Sequence, residues 1–135
     1  MSSKGKILLV DDDSDFLDMH AAVLKNHGYE VVTASSGREG LARVRTEMPD
    51  AIILDLMMEK HDTGFQFSQK IKTDPLFKEI PILMVTSVAE ATGTRFSFED
   101  DGYWMKADDF LDKPVKPEVL LERLDALLRR RRDAR

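Results

Sequence analysis

Three stretches of this chain, KILLV at residues 6–10, AIILD at 51–55 and PILMVT at 81–86, are apolar at nearly every position. A strand with one wet face alternates apolar and polar residues. A run that is apolar at successive positions has to be covered on both faces, which is the mark of a parallel strand inside a layered domain. EVVTA at 30–34 and DFLD at 109–112 are strand-like too.

The intervening stretches carry helical spacing. Residues 14–27 place Phe16, His20, Val23, Leu24 and His27 along one face, with Ser14 as N-cap and Gly28 as the stop. Residues 36–48 open with Ser36 and Glu39 at capping-box spacing, and Leu41, Val44 and Met48 line a face. Residues 64–73 set Phe67 and Ile71 on one side and end at the Asp74-Pro75 pair. Residues 117–131 start on Pro117, a good first helical residue, and bury Leu120, Leu124, Leu127 and Leu128. Residues 88–108 are interrupted by Gly93 and Gly102, which predicts a short helix followed by an irregular excursion. Its Phe96, Phe98, Tyr103 and Trp104 are expected to pin the excursion to the body.

Alternating strands and helices imply an α/β domain with right-handed crossovers. The expectation is a flavodoxin-like, doubly wound sheet of five parallel strands in the order 2-1-3-4-5, with five helices on its two faces. The 135 residues suit one domain over 1–135, with a core at about 5–129 and a basic tail, RRRRDAR, at 129–135. With no cysteine, disulfides and thiolate zinc sites are excluded. The net charge of −5 argues against nucleic acid as a direct ligand. The opening MSSKGK lacks the apolar centre of a signal peptide, and no apolar run reaches the roughly 18–20 residues that span a bilayer. A soluble, cytoplasmic protein without membrane contact is expected.

In such sheets ligands bind beyond the carboxyl ends of the strands, where the strand order reverses. The first strand runs into Asp11, Asp12 and Asp13, the third ends at Asp55, the fourth at Thr86 and Ser87, and the fifth leads to Lys113 and Pro114. Two carboxylates about 4 Å apart repel by roughly 4 kcal/mol at an effective dielectric of about 20. A hard divalent cation removes that penalty, and magnesium suits one or two carboxylates, retained water and a phosphoryl oxygen. One carboxylate is then free to attack phosphorus and become an aspartyl phosphate, with the lysine and the metal neutralising charge.

With LLVDDD, ILDLMM, MVTS and DKP in this order, the chain resembles the receiver domain of two-component response regulators, from Lys6 to about Leu128. The strand order comes with that resemblance. The resemblance implies that Asp55 is the phosphoacceptor and that Asp11 and Asp12 hold Mg2+, Asp12 more directly, with the backbone carbonyl of Met57 completing the protein ligands. Thr86 would hydrogen-bond the phosphoryl group, Lys113 would pair with it, and Phe110 would be the aromatic that changes rotamer on activation. Asp13 is read as solvated or as capping the first helix. The implied partners are a histidine kinase or histidine phosphotransfer protein upstream and a protein target downstream. The chain is read as a stand-alone signalling module in a phosphorelay, with self-phosphorylation and self-dephosphorylation as its only chemistry and so no enzyme in the ordinary sense.

The chain departs from the family pattern at Glu59, where proline is usual, at Ser87, where alanine or glycine is frequent, and in a longer stretch between Thr86 and Lys113. Two rival functions stand beside this reading. A magnesium phosphohydrolase using an aspartyl phosphate would want a threonine after DDDSD, and the chain has no room for a cap domain. A degenerate, non-phosphorylated binding module would not need Asp11, Asp12, Asp55, Thr86 and Lys113 together. His20, His27 and His61 have no metal-ligand spacing and are expected at the surface or half-buried, and the arginines at 129–132 are expected to solvate the last helix.

Overall fold

From the first strand to the fourth, strands and helices alternate along the chain. The elements are β1 (Lys6–Val10), α1 (Ser14–Asn26), β2 (Glu30–Ala34), α2 (Gly37–Glu47), β3 (Ala51–Asp55), α3 (Thr63–Thr73), β4 (Ile82–Thr86), β5 (Asp109–Asp112) and α4 (Pro117–Ala134). The computed structural model describes residues 4–55, 63–86 and 108–134. All five strands are parallel, in the order β2-β1-β3-β4-β5. The helix and excursion expected over 88–108, with their aromatic residues, lie outside the described residues apart from Asp108, and so does His61.

The unbroken apolar runs are explained by two separate cores. Ile7, Leu9, Ala51, Ile53, Leu83, Val85 and Leu111 face one side, where they meet Leu17, Ala21 and Leu24 of α1 and Leu120, Leu124, Leu127 and Leu128 of α4. The alternate residues Leu8, Val10, Ile52, Leu54, Ile82 and Met84 face the other, against Val44 of α2 and Phe67 and Ile71 of α3. Each fully buried Ile or Leu contributes roughly 1.5–3 kcal/mol relative to exposure. At the amino ends of the strands, Asp50 and Asp108 tie neighbours together. The Asp50 carboxylate accepts from the Lys6 N–H at 2.7 Å, and that of Asp108 from the Ile82 N–H at 2.8 Å.

The helix ends differ from expectation in instructive ways. The N-cap of α1 is Asp13, not Ser14, because the Asp13 carboxylate accepts from the Asp15 and Phe16 N–H groups while its own backbone stays extended. The buried stripe of α1 is Leu17, His20, Ala21 and Leu24, spaced 3, 1 and 3 apart; Phe16 and Val23 flank it and His27 is the C-cap. His20 is therefore buried, at 2% exposure, rather than at the surface. Ser36 caps α2 as expected, but Glu39 closes the box on the Ser35 N–H, at 2.7 Å. Met48 does not line the helix face; it is the left-handed C-cap of α2 and is 55% exposed. The basic segment from residue 129 is no tail, because α4 continues through it to Ala134. Arg131 does more than solvate that helix: its Nη1 donates to the Asp50 carbonyl at 2.6 Å, joining α4 to the start of β3.

Gly40 of α2 packs closely against Phe67 of α3 and Val10 of β1. A Cβ there would lie 2.8 Å from the Phe67 ring and 3.1 Å from a Val10 methyl. Gly40→Ala is expected to lower the unfolding free energy by about 1–2 kcal/mol, overpacking outweighing the gain in helix propensity. Urea unfolding checks this, and a more stable variant would refute the close approach. Glu39 is held below the ordinary carboxylate range by the Ser35 N–H first, against a smaller opposing effect of burial, with help from the Ser35 hydroxyl and Arg43. A depressed acid stabilises the fold above its unfolded value and ceases to as pH falls. The stability difference between the protein and Glu39→Gln is thus expected to be a few tenths of a kcal/mol at pH 7, to begin to fall near pH 4.5 and to be lost as pH drops through the lower folded-state value, measured by unfolding across pH.

Candidate functional site

The strand order reverses between β1 and β3, and the polar residues expected to meet do so at that point. β1 ends at Val10, and the Asp11 N–H then donates to the Ala34 carbonyl at 3.1 Å, extending the pairing with β2 by one step before the chain turns. Asp11 Oδ1 accepts from the Asp13 N–H at 2.9 Å, closing a turn that delivers Asp12 to the crevice and Asp13 to the start of α1. Asp55 is the last residue of β3. Asp11 and Asp55 are 1% and 6% exposed, while Asp12 is exposed.

Lys113 follows β5, its peptide bond to Pro114 is cis, and its Nζ reaches back over the sheet edge. It donates to Asp11 Oδ2 at 3.1 Å and lies 3.6 Å from Asp55 Oδ2. Burial works against charge on Lys113, but the combined fields and hydrogen bonds of Asp55 and Asp11 outweigh it and raise its pKa above the usual lysine value. The ammonium thus stays charged at any physiological pH, as a fixed counter-charge.

Among the described residues, three carboxylates share the site with one ammonium. Oxygens of Asp11, Asp12 and Asp55 all lie within 4.8 Å of one another. Such spacing, with two of the three acids buried, gathers more negative than positive charge among the described residues and a cluster of hard oxygen donors that a small divalent cation would satisfy. Among the described residues no histidine joins a metal-ligating group. Asp11, Asp12, Asp55 and Lys113 are therefore brought together as expected. Asp13 serves the first helix instead of the cluster. Thr86 ends β4 and its backbone pairs with Asp112, and the Phe110 backbone pairs with Met84, but the side chains of Thr86 and Phe110 lie outside the described residues, as does Met57 altogether.

One neighbour of the site was not legible as such. The Phe16 ring lies beneath Lys113, with Nζ 4.6 Å from its centroid. The sequence signal was present in its position on the first turn of α1, just after the aspartates, but helical spacing alone assigns that residue to packing.

The comparisons with known proteins agree with this geometry. Residues 7–125 match the response regulator receiver domain family. The protein PilH of Pseudomonas aeruginosa is 34% identical over 126 residues, covering 91% of this chain and 97% of PilH. The alkaline phosphatase synthesis transcriptional regulatory protein PhoP of Bacillus subtilis is 37% identical over 93% of this chain but only 49% of its own length. The chain thus spans about half the length of the transcriptional regulators it matches and nearly all of PilH. The crystal structure of the chemotaxis response regulator CheY4 of Vibrio cholerae superposes with a TM-score of 0.78 at 34% identity, covering 94% of this chain and 99% of that one. The sheet order, the acid cluster with its lysine and these relatives lead to one conclusion: the chain belongs to the response regulator receiver domain family.

Proposed function

We propose that Asp55 accepts a phosphoryl group from a phosphohistidine of a histidine kinase or histidine phosphotransfer protein, with magnesium in the Asp11–Asp12–Asp55 cluster, and that the chain signals in the cytoplasm to a protein target. The observation that carries this reading is the Lys113 ammonium set between Asp11 and Asp55, at 3.1 and 3.6 Å, beside an oxygen cluster with excess negative charge. An Asp55 oxygen would form the new P–O bond as the P–N bond to the donor imidazole breaks, and the electron pair would leave with the imidazole. Lys113 would turn from the carboxylates toward the arriving phosphoryl oxygens, since it is already charged and within reach. Asp11 would hold that lysine and, with Asp12, supply oxygen ligands. Bound magnesium would supply electrostatic stabilisation of the transferring phosphoryl oxygens. Met57 would add its carbonyl to the ligand set, Thr86 a hydrogen bond to the phosphoryl group and Phe110 the rotamer change, all three by resemblance to the family. The added charge would shift the population between two conformations and so alter the face offered to a target. The hydrolase and degenerate-module readings are not favoured, because the family match covers the chain and the acid cluster is intact.

Two outcomes are expected. Magnesium at a hundred times its dissociation constant should raise the unfolding free energy by about 2.7 kcal/mol. Asp12→Asn should lose most of that increment while gaining up to about 1 kcal/mol in EDTA, through relief of like-charge repulsion. Urea unfolding with and without magnesium measures both, and equal stabilisation of the two proteins would count against the cluster as the ion's site. Incubated with acetyl phosphate and magnesium, the protein should gain a single phosphoryl group by intact mass, Asp55→Asn none, and Lys113→Met should label roughly 100-fold more slowly. Labelling that survives Asp55→Asn, or steady turnover of phosphate monoesters, would sink the assignment.

A further inference from the structure

Beneath the acid cluster lies a column of three side chains with no obvious structural need for its chemistry. Lys113 Nζ sits 4.6 Å from the Phe16 ring centroid. The Phe16 ring in turn stacks on the His20 imidazole, centroid to centroid 4.0 Å and tilted by 26°. His20 is 2% exposed, and its Nδ1 lies 2.9 Å from the Phe16 carbonyl. A carbonyl only accepts, so Nδ1 donates, and the ring is tied to the turn that carries Phe16. The other nitrogen, Nε2, is buried and has no hydrogen-bond partner among the described residues. An orphaned polar atom inside a core lowers stability, and a leucine would fill this place on the buried stripe between Leu17 and Leu24 without one. The imidazole must therefore serve something other than core filling.

We propose that His20 and Phe16 are positioning residues for Lys113, a flat-ringed pedestal that holds the ammonium at the mouth of the acid cluster. An aromatic face attracts a cation through its quadrupole, so the Phe16 ring gives Lys113 a third point of attachment besides Asp11 and Asp55. The stacked imidazole fixes the plane of that ring, and its bond to the Phe16 carbonyl fixes the imidazole. A lysine has four side-chain torsions to restrain, and a third contact at the ammonium narrows them further than two carboxylates alone. The pedestal narrows the positions of the ammonium before any phosphoryl group arrives. The functional consequence rests on the proposed phosphoacceptor role of Asp55; the restraint on Lys113 does not.

Two readouts separate these. The first is the order parameter of the Lys113 side chain by NMR, which requires no phosphorylation. The second is the rate of labelling by acetyl phosphate with saturating magnesium. Phe16→Tyr should keep both. Phe16→Leu should loosen Lys113 and slow labelling by roughly three- to tenfold. His20→Leu should be as stable as the parent or more so, yet label about two- to fivefold more slowly, whereas a residue of merely structural value would move stability and labelling together. If Phe16→Leu does not fold, mono-, di- and trifluorophenylalanine at position 16 weaken the ring's attraction for a cation in graded steps at nearly constant shape, and the labelling rate should fall in the same order while the melting temperature holds. An unchanged Lys113 order parameter in Phe16→Leu, or a labelling rate indifferent to ring fluorination, overturns the pedestal. If the parent itself takes no label, the phosphoacceptor reading fails, and the order parameter still decides whether the ring restrains the lysine.

Discussion

β1, β3 and β4 are buried on both faces, and that constraint governs the rest of the molecule. Their successive residues enter two different cores, which fill the middle of both faces with apolar side chains. Polar chemistry is driven to the strand ends. The reversal of strand order between β1 and β3 opens a crevice at only one of those ends, because the helices leaving the two strands pack on opposite faces. The place of the acid cluster is thus a consequence of how the apolar side chains are shared between two layers of helices.

Within the crevice, carboxylates outnumber ammonium groups among the described residues. Asp11 and Asp55 are buried acids with Lys113 between them, and Asp12 adds a further carboxylate nearby. Buried ionised groups are tolerated when paired, and removing one partner of a buried pair destabilises by roughly 3–5 kcal/mol. Among the described residues one ammonium faces these three carboxylates. A site left short of positive charge is one whose stability and conformation respond to whatever positive charge arrives, and whose lysine is free to change partners when new anionic oxygens enter. The same imbalance that weakens the isolated fold makes it responsive.

The strands were the most legible part of the chain. Lys6–Val10, Glu30–Ala34, Ala51–Asp55 and Asp109–Asp112 coincide with the expected stretches, and β4 begins one residue later, after Pro81. Short apolar runs rich in Ile, Leu and Val and bounded by turn residues read as two-sided parallel strands. The helix faces were less legible. On α1 the apolar and aromatic residues admit two overlapping stripes, one through Phe16 and one through Leu17, and packing against the sheet and α4 selects the second. Asp13 and Ser14 are both competent caps, and the turn closed by the Asp11 carboxylate decides between them. Glu39 finds Ser35 rather than Ser36 because its side chain reaches the residue before the cap. Arg131 leaves solvent because the amino end of β3 presents a carbonyl within its reach.

By itself the sequence determined the five strands, the two-sided burial of three of them, the order of acids, hydroxyl and lysine along the chain, and so the class of fold and the family. These are local: each follows from the chemistry of a few consecutive residues. Only the tertiary structure decided that Lys113, 102 positions from Asp11, would bridge that carboxylate and Asp55. It alone turned Phe16 from a packing residue into the floor beneath the ammonium and sealed His20 inside. Contacts of that kind depend on the distance and angle between elements far apart in the chain, which are set by how whole layers pack and are written in no single stretch of it.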